Sequence, residues 1–184
     1  MIKVKRSDIV DNATYQKNRE SFEKDISEIK KNRRVQVGKF LAFEFVNTMT
    51  SKYEIQEWML SENIDSDSEI KQALERHNSI LGDKGELSCK LLVEIKNEKE
   101  RSEKLTAWIQ LPKHIFMILE DGTEIPAKFE ETGENRLLPI QTLKFEVGAT
   151  SPVGFKITLP GLELDSKFSE VKRIALTEDL RSDL

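Results

Sequence analysis

The chain is poor in the residues from which disulfides, metal centres and nucleophilic sites are built. Its 184 residues include one cysteine and two histidines. A single cysteine excludes a disulfide within the chain, and it excludes an all-cysteine zinc or iron–sulfur site made from this chain alone. Neither histidine has a second histidine or cysteine three or four residues away, so zinc-ligand spacing is absent. We therefore expect no cofactor held by residues of this kind.

Long apolar runs and glycine-rich loops are also missing. The eight glycines are scattered, and none forms the cluster beside a helix start that phosphate-binding loops require. No window approaches the roughly 20 apolar residues that a membrane-spanning helix needs, and the N-terminus has no apolar stretch of signal-peptide length. These absences, together with the unpaired cysteine, favour a cytoplasmic location.

Charge, by contrast, is abundant: 34% of the residues are charged and 38% are hydrophobic. Residues 1–34 hold ten Lys and Arg against six Asp and Glu, whereas the remaining 150 hold nineteen against twenty-seven. The densest basic run is Lys30, Lys31, Arg33 and Arg34, at the expected C-terminal end of a helix. Cations there complement the helix dipole, so we interpret the run as a cap. Nucleic-acid binding is the alternative, but the broad basic face and stacking side chains typical of it are lacking.

Hydrophobic periodicity and capping residues predict five helices and about six strands. The Asp121-Gly122 pair is typical of a two-residue hairpin turn. Hairpin-linked strands with helices between them predict one α+β domain over residues 1–184, built around a mainly antiparallel sheet. The helices are expected to begin near Asp11 or Asn12, Ser51, Ser66, Asn97, and Ser166 or Ser169. The strands are expected at 34–45 with a bend at Gly38, 87–95, 114–120, 123–129, 138–147 and 153–159.

Few side chains suggest chemistry. Glu54 and Glu57 lie one helical turn apart, a spacing that can serve a metal or a general base, although a solvated helix face has the same pattern. Cys89 lies in an alternating apolar row and His77 on an apolar helix stripe, which favours buried structural roles for both. His114 begins an expected strand and could be exposed.

Two stretches of the chain resemble a family of bacterial proteins known only as a domain of unknown function. They are KKNRRVQVGKFLAFEFVNTMTSKYEIQEWM and, further along, ERHNSILGDKGELSCKLLVEI. Weaker likeness extends over nearly the whole chain. The matching positions are Arg33, Arg34, Gly38, Phe45, Asn47, Thr50, Ile55, Gln56, Glu57, Asn78, Gly85, Glu86, Leu87 and Ser88.

The chain departs from the family pattern at several polar positions. Val46 and Met49 stand where an acid is expected, and Leu159-Pro160 and Leu162 stand where a His-Pro pair and a Tyr are expected. If those residues form a site in the family, this chain lacks part of it. The resemblance implies no established activity. The resemblance does imply a gene neighbourhood, because genes of the family often lie beside those of rubrerythrin-like and cysteine-rich iron–sulfur oxidoreductase proteins, which suggests a link to peroxide defence or electron transfer.

Two hypotheses follow. The first is a non-catalytic accessory protein whose partner is a rubrerythrin-like or iron–sulfur protein. The second is a small-molecule-binding domain or enzyme, which requires its polar side chains to converge in one cleft. The candidate polar cluster for that site consists of Asn47, Thr50, Gln56, Glu57, Glu86 and Ser88.

Overall fold

Antiparallel strands, three pairs of which are hairpins, form two four-stranded sheets in the computed structural model, which describes residues 1–182. The strands in this range are β1 (Arg34–Val37), β2 (Leu41–Val46), β3 (Glu86–Val93), β4 (Ile115–Leu119), β5 (Glu124–Pro126), β6 (Ile140–Glu146), β7 (Pro152–Leu159) and β8 (Leu162–Lys167). The helices are α1 (Asn12–Lys31), α2 (Thr48–Ser61), α3 (Asp67–Ile80), α4 (Glu98–Ala107) and α5 (Glu170–Arg181), with short 3₁₀ turns at Arg6–Asp8 and Leu111–His114.

The two sheets pack face to face around a single large core. The first sheet has the order β1-β2-β3-β6 and the second β5-β4-β7-β8. Phe155 of β7 lies at the centre of this core, with its ring centroid 4.2 Å from that of Phe43 and 5.7 Å from that of Phe145. Alternation along each strand directs one apolar row inward, so the inner faces of both sheets contribute to the same hydrophobic cluster.

Helix α2 lies beside the first sheet, where Glu54 binds Lys90 of β3. A smaller second core lies between the N-terminal segment, α2 and α3, and includes Ile9, Ile55 and Ile70. Helix α1 packs on α2, and α5 contacts β3 and β7, placing Leu176 and Leu180 in the large core.

The predicted α+β class and the five helices are confirmed, but the strands number eight and form two sheets. The expected strand 34–45 is wrong in its connection: it is a hairpin that turns at Gly38, where φ is +62°. Val37 pairs with Leu41, and partners throughout this hairpin are both odd or both even in number. The apolar row therefore stays on one face through the turn, and alternation alone cannot distinguish the hairpin from a straight strand.

Other elements also differ from expectation, among them the strand expected at 123–129, of which only Glu124–Pro126 forms β5. Helix α2 begins at Thr48 rather than after Ser51, because Asn47 caps it and Ser51 lies buried in its first turn. Strand β8 was not predicted; it pairs with β7 at a sheet edge, where its exposed charged residues weaken the apolar signal. Within residues 1–182, no helix is both long and apolar enough to cross a membrane.

Candidate functional site

Asn47 and Thr50 are brought together at the start of α2, where they form a reciprocal cap. The Asn47 Oδ1 atom accepts a hydrogen bond from the Thr50 backbone N–H, and the Thr50 Oγ1 atom accepts one from the Asn47 N–H, both at 2.9 Å. Both residues are buried. Such a cap satisfies backbone donors that the first helical turn leaves free.

Asn47 also joins a buried ion pair between Arg33 and Asp179. The guanidinium donates from Nε to Asp179 Oδ2 at 2.8 Å and from Nη2 to Oδ1 at 2.9 Å, and Asn47 Nδ2 donates to Oδ1 at 3.1 Å. Arg33 follows α1, Asn47 precedes α2, and Asp179 lies near the end of α5. This network therefore ties three helix ends together beside the core.

Sequence reasoning missed Asp179. Its signal was an acidic residue inside the apolar stripe of the last helix, four residues after Ala175 and three after Leu176, which are both buried. An acid on a buried helix face needs a cationic partner, since an unpaired buried charge is costly. Nothing in the sequence indicates that this partner is Arg33, 146 residues away.

Gln56 uses both ends of its side-chain amide on one residue of the N-terminal segment. Its Oε1 accepts from the Val10 N–H at 2.7 Å, and its Nε2 donates to the Val10 carbonyl at 3.1 Å. Asn78 of α3 makes the same pair of bonds with Val4, at 2.8 and 2.9 Å. Two matched amides thus hold the N-terminal segment against α2 and α3.

Glu57 joins α2 to α1. Its carboxylate accepts from the Tyr15 hydroxyl at 2.6 Å and from Nε and Nη2 of Arg19 at 2.9 and 2.8 Å. The Arg19 hydrogen bonds lower the pKa of Glu57, with a further contribution from Tyr15. Burial, together with the bond to Glu57, raises the pKa of Tyr15 above its ordinary value.

Glu86 and Ser88 make two further local contacts on β3. Glu86 Oε2 accepts from the Asp83 N–H at 3.0 Å and closes the turn before the strand. Ser88 is fully buried, and its hydroxyl donates to the Leu143 carbonyl on β6 at 3.3 Å.

The six residues of the candidate polar cluster therefore do not meet in one cleft. Of the hydrogen bonds that these six residues make, only those between Asn47 and Thr50 join two members of the cluster. Thr50 lines a cavity of about 10 Å³, space for a single water. A ligand site at these residues stays a prediction. Host phenotypes that are unchanged by Glu57→Gln and Glu86→Gln would contradict it.

Glu54, expected to act with Glu57, instead faces β3 and α3. Its carboxylate accepts from Lys90 Nζ at 2.7 and 2.8 Å, and His77 Nδ1 lies 3.6 Å from its Oε2. Burial lowers the pKa of His77 despite that carboxylate, which favours the neutral ring. Because Glu54 and Glu57 serve different neighbours, they do not form one carboxylate site.

The remaining candidates are buried or occupied by neighbours. The Cys89 thiol is fully buried, and burial raises its pKa. His114 Nδ1 lies 3.2 Å from the Thr158 hydroxyl. Across residues 1–182, no group of three or more His, Cys, Asp and Glu side chains is placed to hold a metal ion.

Three of the four residues of the basic run are engaged in ion pairs, including Lys31, whose Nζ lies 3.9 Å from Glu28 Oε2. Arg33 binds Asp179, and Arg34 binds Glu44 and Glu94. Lys30 lies over the ring of Tyr53, with its Nζ 5.1 Å from the ring centroid. Contact between these groups and a nucleic-acid phosphate would compete with these partners.

Comparison with known proteins places the chain in a family. A family model described as "Protein of unknown function (DUF3501)" matches residues 3–180. The chain belongs to this family. The match covers nearly the whole chain. Within the described residues, it includes both sheets and all five helices, apart from the last residue of α5.

A solved structure has the same fold as this DUF3501 member. It is a crystal structure of a novel protein of unknown function from Burkholderia pseudomallei K96243, with a TM-score of 0.89 and 21% sequence identity. The alignment covers 97% of this chain and all of that one. The comparison with curated proteins finds no match.

Proposed function

We propose that this DUF3501 member is a non-catalytic accessory protein that binds a redox partner, a rubrerythrin-like or iron–sulfur protein. The observation that supports the proposal is that the motif side chains bind other groups of this chain. Gln56 and Asn78 bind the chain's own backbone, and Glu57 binds its own Tyr15 and Arg19. Motif side chains that bind groups of their own chain stabilise the fold. A rigid fold can present a fixed surface to a partner protein, and that partner would supply the metal.

The outward face of α5 is the surface that best suits such a partner. Val171 and Ile174 lie one turn apart on it and are 55% and 52% exposed, whereas Leu176 and Leu180 on its inward face are buried. Single exposed apolar residues are ordinary, but an adjacent pair on a firmly anchored helix presents a preorganised apolar patch. The buried Asp179 contact provides that anchor at the C-terminal end of α5.

The choice of partner class rests on the gene neighbourhood that the family resemblance implies. Rubrerythrin-like and iron–sulfur proteins carry their own metal, so binding to one would give this chain a part in redox chemistry without ligands of its own. The proposal thus places the reaction in the partner and the recognition in this chain.

Affinity capture from the native host under anaerobic conditions, with mass spectrometry, tests the proposal. We expect the wild-type chain to recover a rubrerythrin-like or iron–sulfur protein, and the double variant Val171→Asp with Ile174→Asp to lose it. Ile2→Asp is the matched control, because Ile2 is equally apolar and 54% exposed but lies in the N-terminal segment. It should leave recovery unchanged.

The remaining outcomes contradict particular parts of the proposal. A chain that is captured alone, or that carries a specific stoichiometric metal when isolated, contradicts the accessory role. Recovery that survives the α5 double variant contradicts the assignment of the surface to α5. Circular dichroism of each variant shows whether the fold is intact.

A further inference from the structure

A groove of about 500 Å³ opens beside β6, away from the candidate polar cluster and from the α5 face. Its floor is the outward row of β6, formed by Ile140, Thr142 and Lys144, which alternate with the inward-facing residues of that strand. Its walls are the C-terminal end of α3 and residues 128–132 of the connection from β5. The volume lies within the range of about 300–1,000 Å³ that is usual for small-molecule sites.

The groove has an apolar part that is exposed in the isolated chain. Ile80, Phe129, Leu138 and Ile140 line it, and Ile140 is 58% exposed. An exposed large apolar residue inside a concave surface differs from one scattered on a convex surface, because a ligand can cover it from several sides at once. Covering this part removes apolar area from water and therefore favours binding.

Lys144 gives the groove a positive charge, which also acts on Asp83: the pKa of Asp83 is lowered mainly by its ion pair with Lys3, at 3.2 Å, and further by Lys144. The Lys144 Nζ donates one hydrogen bond, to the Leu81 carbonyl at 3.3 Å, and no carboxylate of residues 1–182 lies within ion-pair distance of it. A lysine ammonium has three donors, so donors remain for a ligand. The second lysine of the groove, Lys128, is already paired with Glu146.

The outer wall is held in place by the sheet itself. The Lys128 N–H donates to the Lys144 carbonyl at 2.8 Å, and the Lys144 N–H donates back at 2.9 Å, so residue 128 extends the sheet beyond β6. Gln141 Nε2 donates to the Glu130 carbonyl at 3.3 Å. The Glu130 side chain is exposed at the rim, where solvent screens its charge from Lys144.

We propose that this groove binds an organic monocarboxylate whose apolar body lies on Ile140, Leu138 and Phe129 and whose carboxylate is bound by Lys144. The apolar lining selects the body, and the remaining donors of the Lys144 ammonium select the anionic end. A charge-assisted hydrogen bond in a half-buried site contributes more than a neutral one, so the acid is favoured over the matching alcohol.

Titration with decanoate, decanol and acetate tests the proposal, with binding measured by calorimetry and mapped by amide chemical shifts. We expect saturable binding of decanoate, with shifts centred on β6 and residues 128–132. Lys144→Gln should weaken it about tenfold, as expected for one lost charge-assisted bond. Decanol should bind more weakly than decanoate, and acetate should not saturate. Lys167→Gln on β8 is the matched lysine control and should leave the affinity unchanged.

Several results would overturn the assignment. Decanoate that does not saturate, or that shifts residues away from β6, contradicts the site. Equal loss of affinity in Lys144→Gln and Lys167→Gln, or equal binding of decanol, indicates general attraction to charge or to apolar surface and contradicts the role of Lys144. Ile140→Asp, an exposed position, provides a second variant that should abolish decanoate binding. The test involves neither α5 nor any partner protein, so its failure leaves the accessory proposal unaffected.

Discussion

Replacing Asp179 with alanine should destabilise this protein more than any substitution of a surface charge on the same helix. Among residues 1–182, the change removes the only carboxylate that binds Arg33, whose side chain is 10% exposed, and it also removes the acceptor of a hydrogen bond from Asn47. Breaking a buried ion pair by removing one partner costs about 3–5 kcal/mol, because the other charge stays buried without compensation. That is a large part of the roughly 5–15 kcal/mol by which folded domains are stable.

Urea denaturation followed by circular dichroism measures the effect. With a slope of about 2 kcal/mol per molar urea, a loss of 3–5 kcal/mol lowers the midpoint by about 1.5–2.5 M. Glu120→Ala is the matched control. Glu120 pairs at 2.9 Å with Arg173, which lies on α5 as Asp179 does, but the Glu120 side chain is 64% exposed. An exposed pair contributes about 0–1 kcal/mol, so its midpoint should move by less than about 0.5 M.

The double variant Arg33→Met with Asp179→Leu separates the energy of the pair from the cost of an unpaired charge. It should recover most of the stability lost in Asp179→Ala, because two apolar side chains leave no buried charge. If Asp179→Ala is too unstable to purify, Asp179→Asn retains the shape and gives a smaller loss in the same direction. Equal midpoints for Asp179→Ala and Glu120→Ala would refute the reasoning, since they would mean that Arg33 finds water or another partner.

Three further predictions concern local contacts. Gln56→Ala should cost about 1–3 kcal/mol, because it leaves both backbone groups of Val10 without partners, and hydrogen exchange should show faster exchange of the Val10 amide. Arg19 lowers the pKa of Glu57, so the Glu57 carboxylate stabilises the fold above the ordinary glutamate pKa of about 4.3. That stabilisation is lost as the pH falls through the lower pKa that Glu57 has in the folded state. Glu57→Gln should therefore weaken the acid dependence of unfolding, and an unchanged dependence would contradict this role. Cys89 should resist alkylation by iodoacetamide in the native state and react in urea, as mass spectrometry would show, because burial excludes the reagent and raises the thiol pKa.

Local signals in the sequence were sufficient for features that depend on neighbouring residues. Asp11, Ser66 and Asn97 cap α1, α3 and α4 as predicted, since each side chain accepts from a backbone N–H three residues ahead. The Asp121-Gly122 turn joins β4 to β5, and Gly122 has the positive φ that such a turn needs. Burial of Cys89 followed from the alternation around it. In each case the deciding interaction lies within a few residues along the chain.

The tertiary structure decided what depends on distant residues. It divided the strands between two sheets, turned 34–45 into a hairpin at Gly38, and paired Arg33 with Asp179 across 146 positions. It also directed Glu54 and Glu57, one turn apart, to different neighbours. Alternation and capping report only whether a residue faces inward or begins a helix, because they arise from backbone geometry. The identity of the partner depends on how whole elements pack, and that is why the polar residues of the motif could be found in the sequence while their contacts could not.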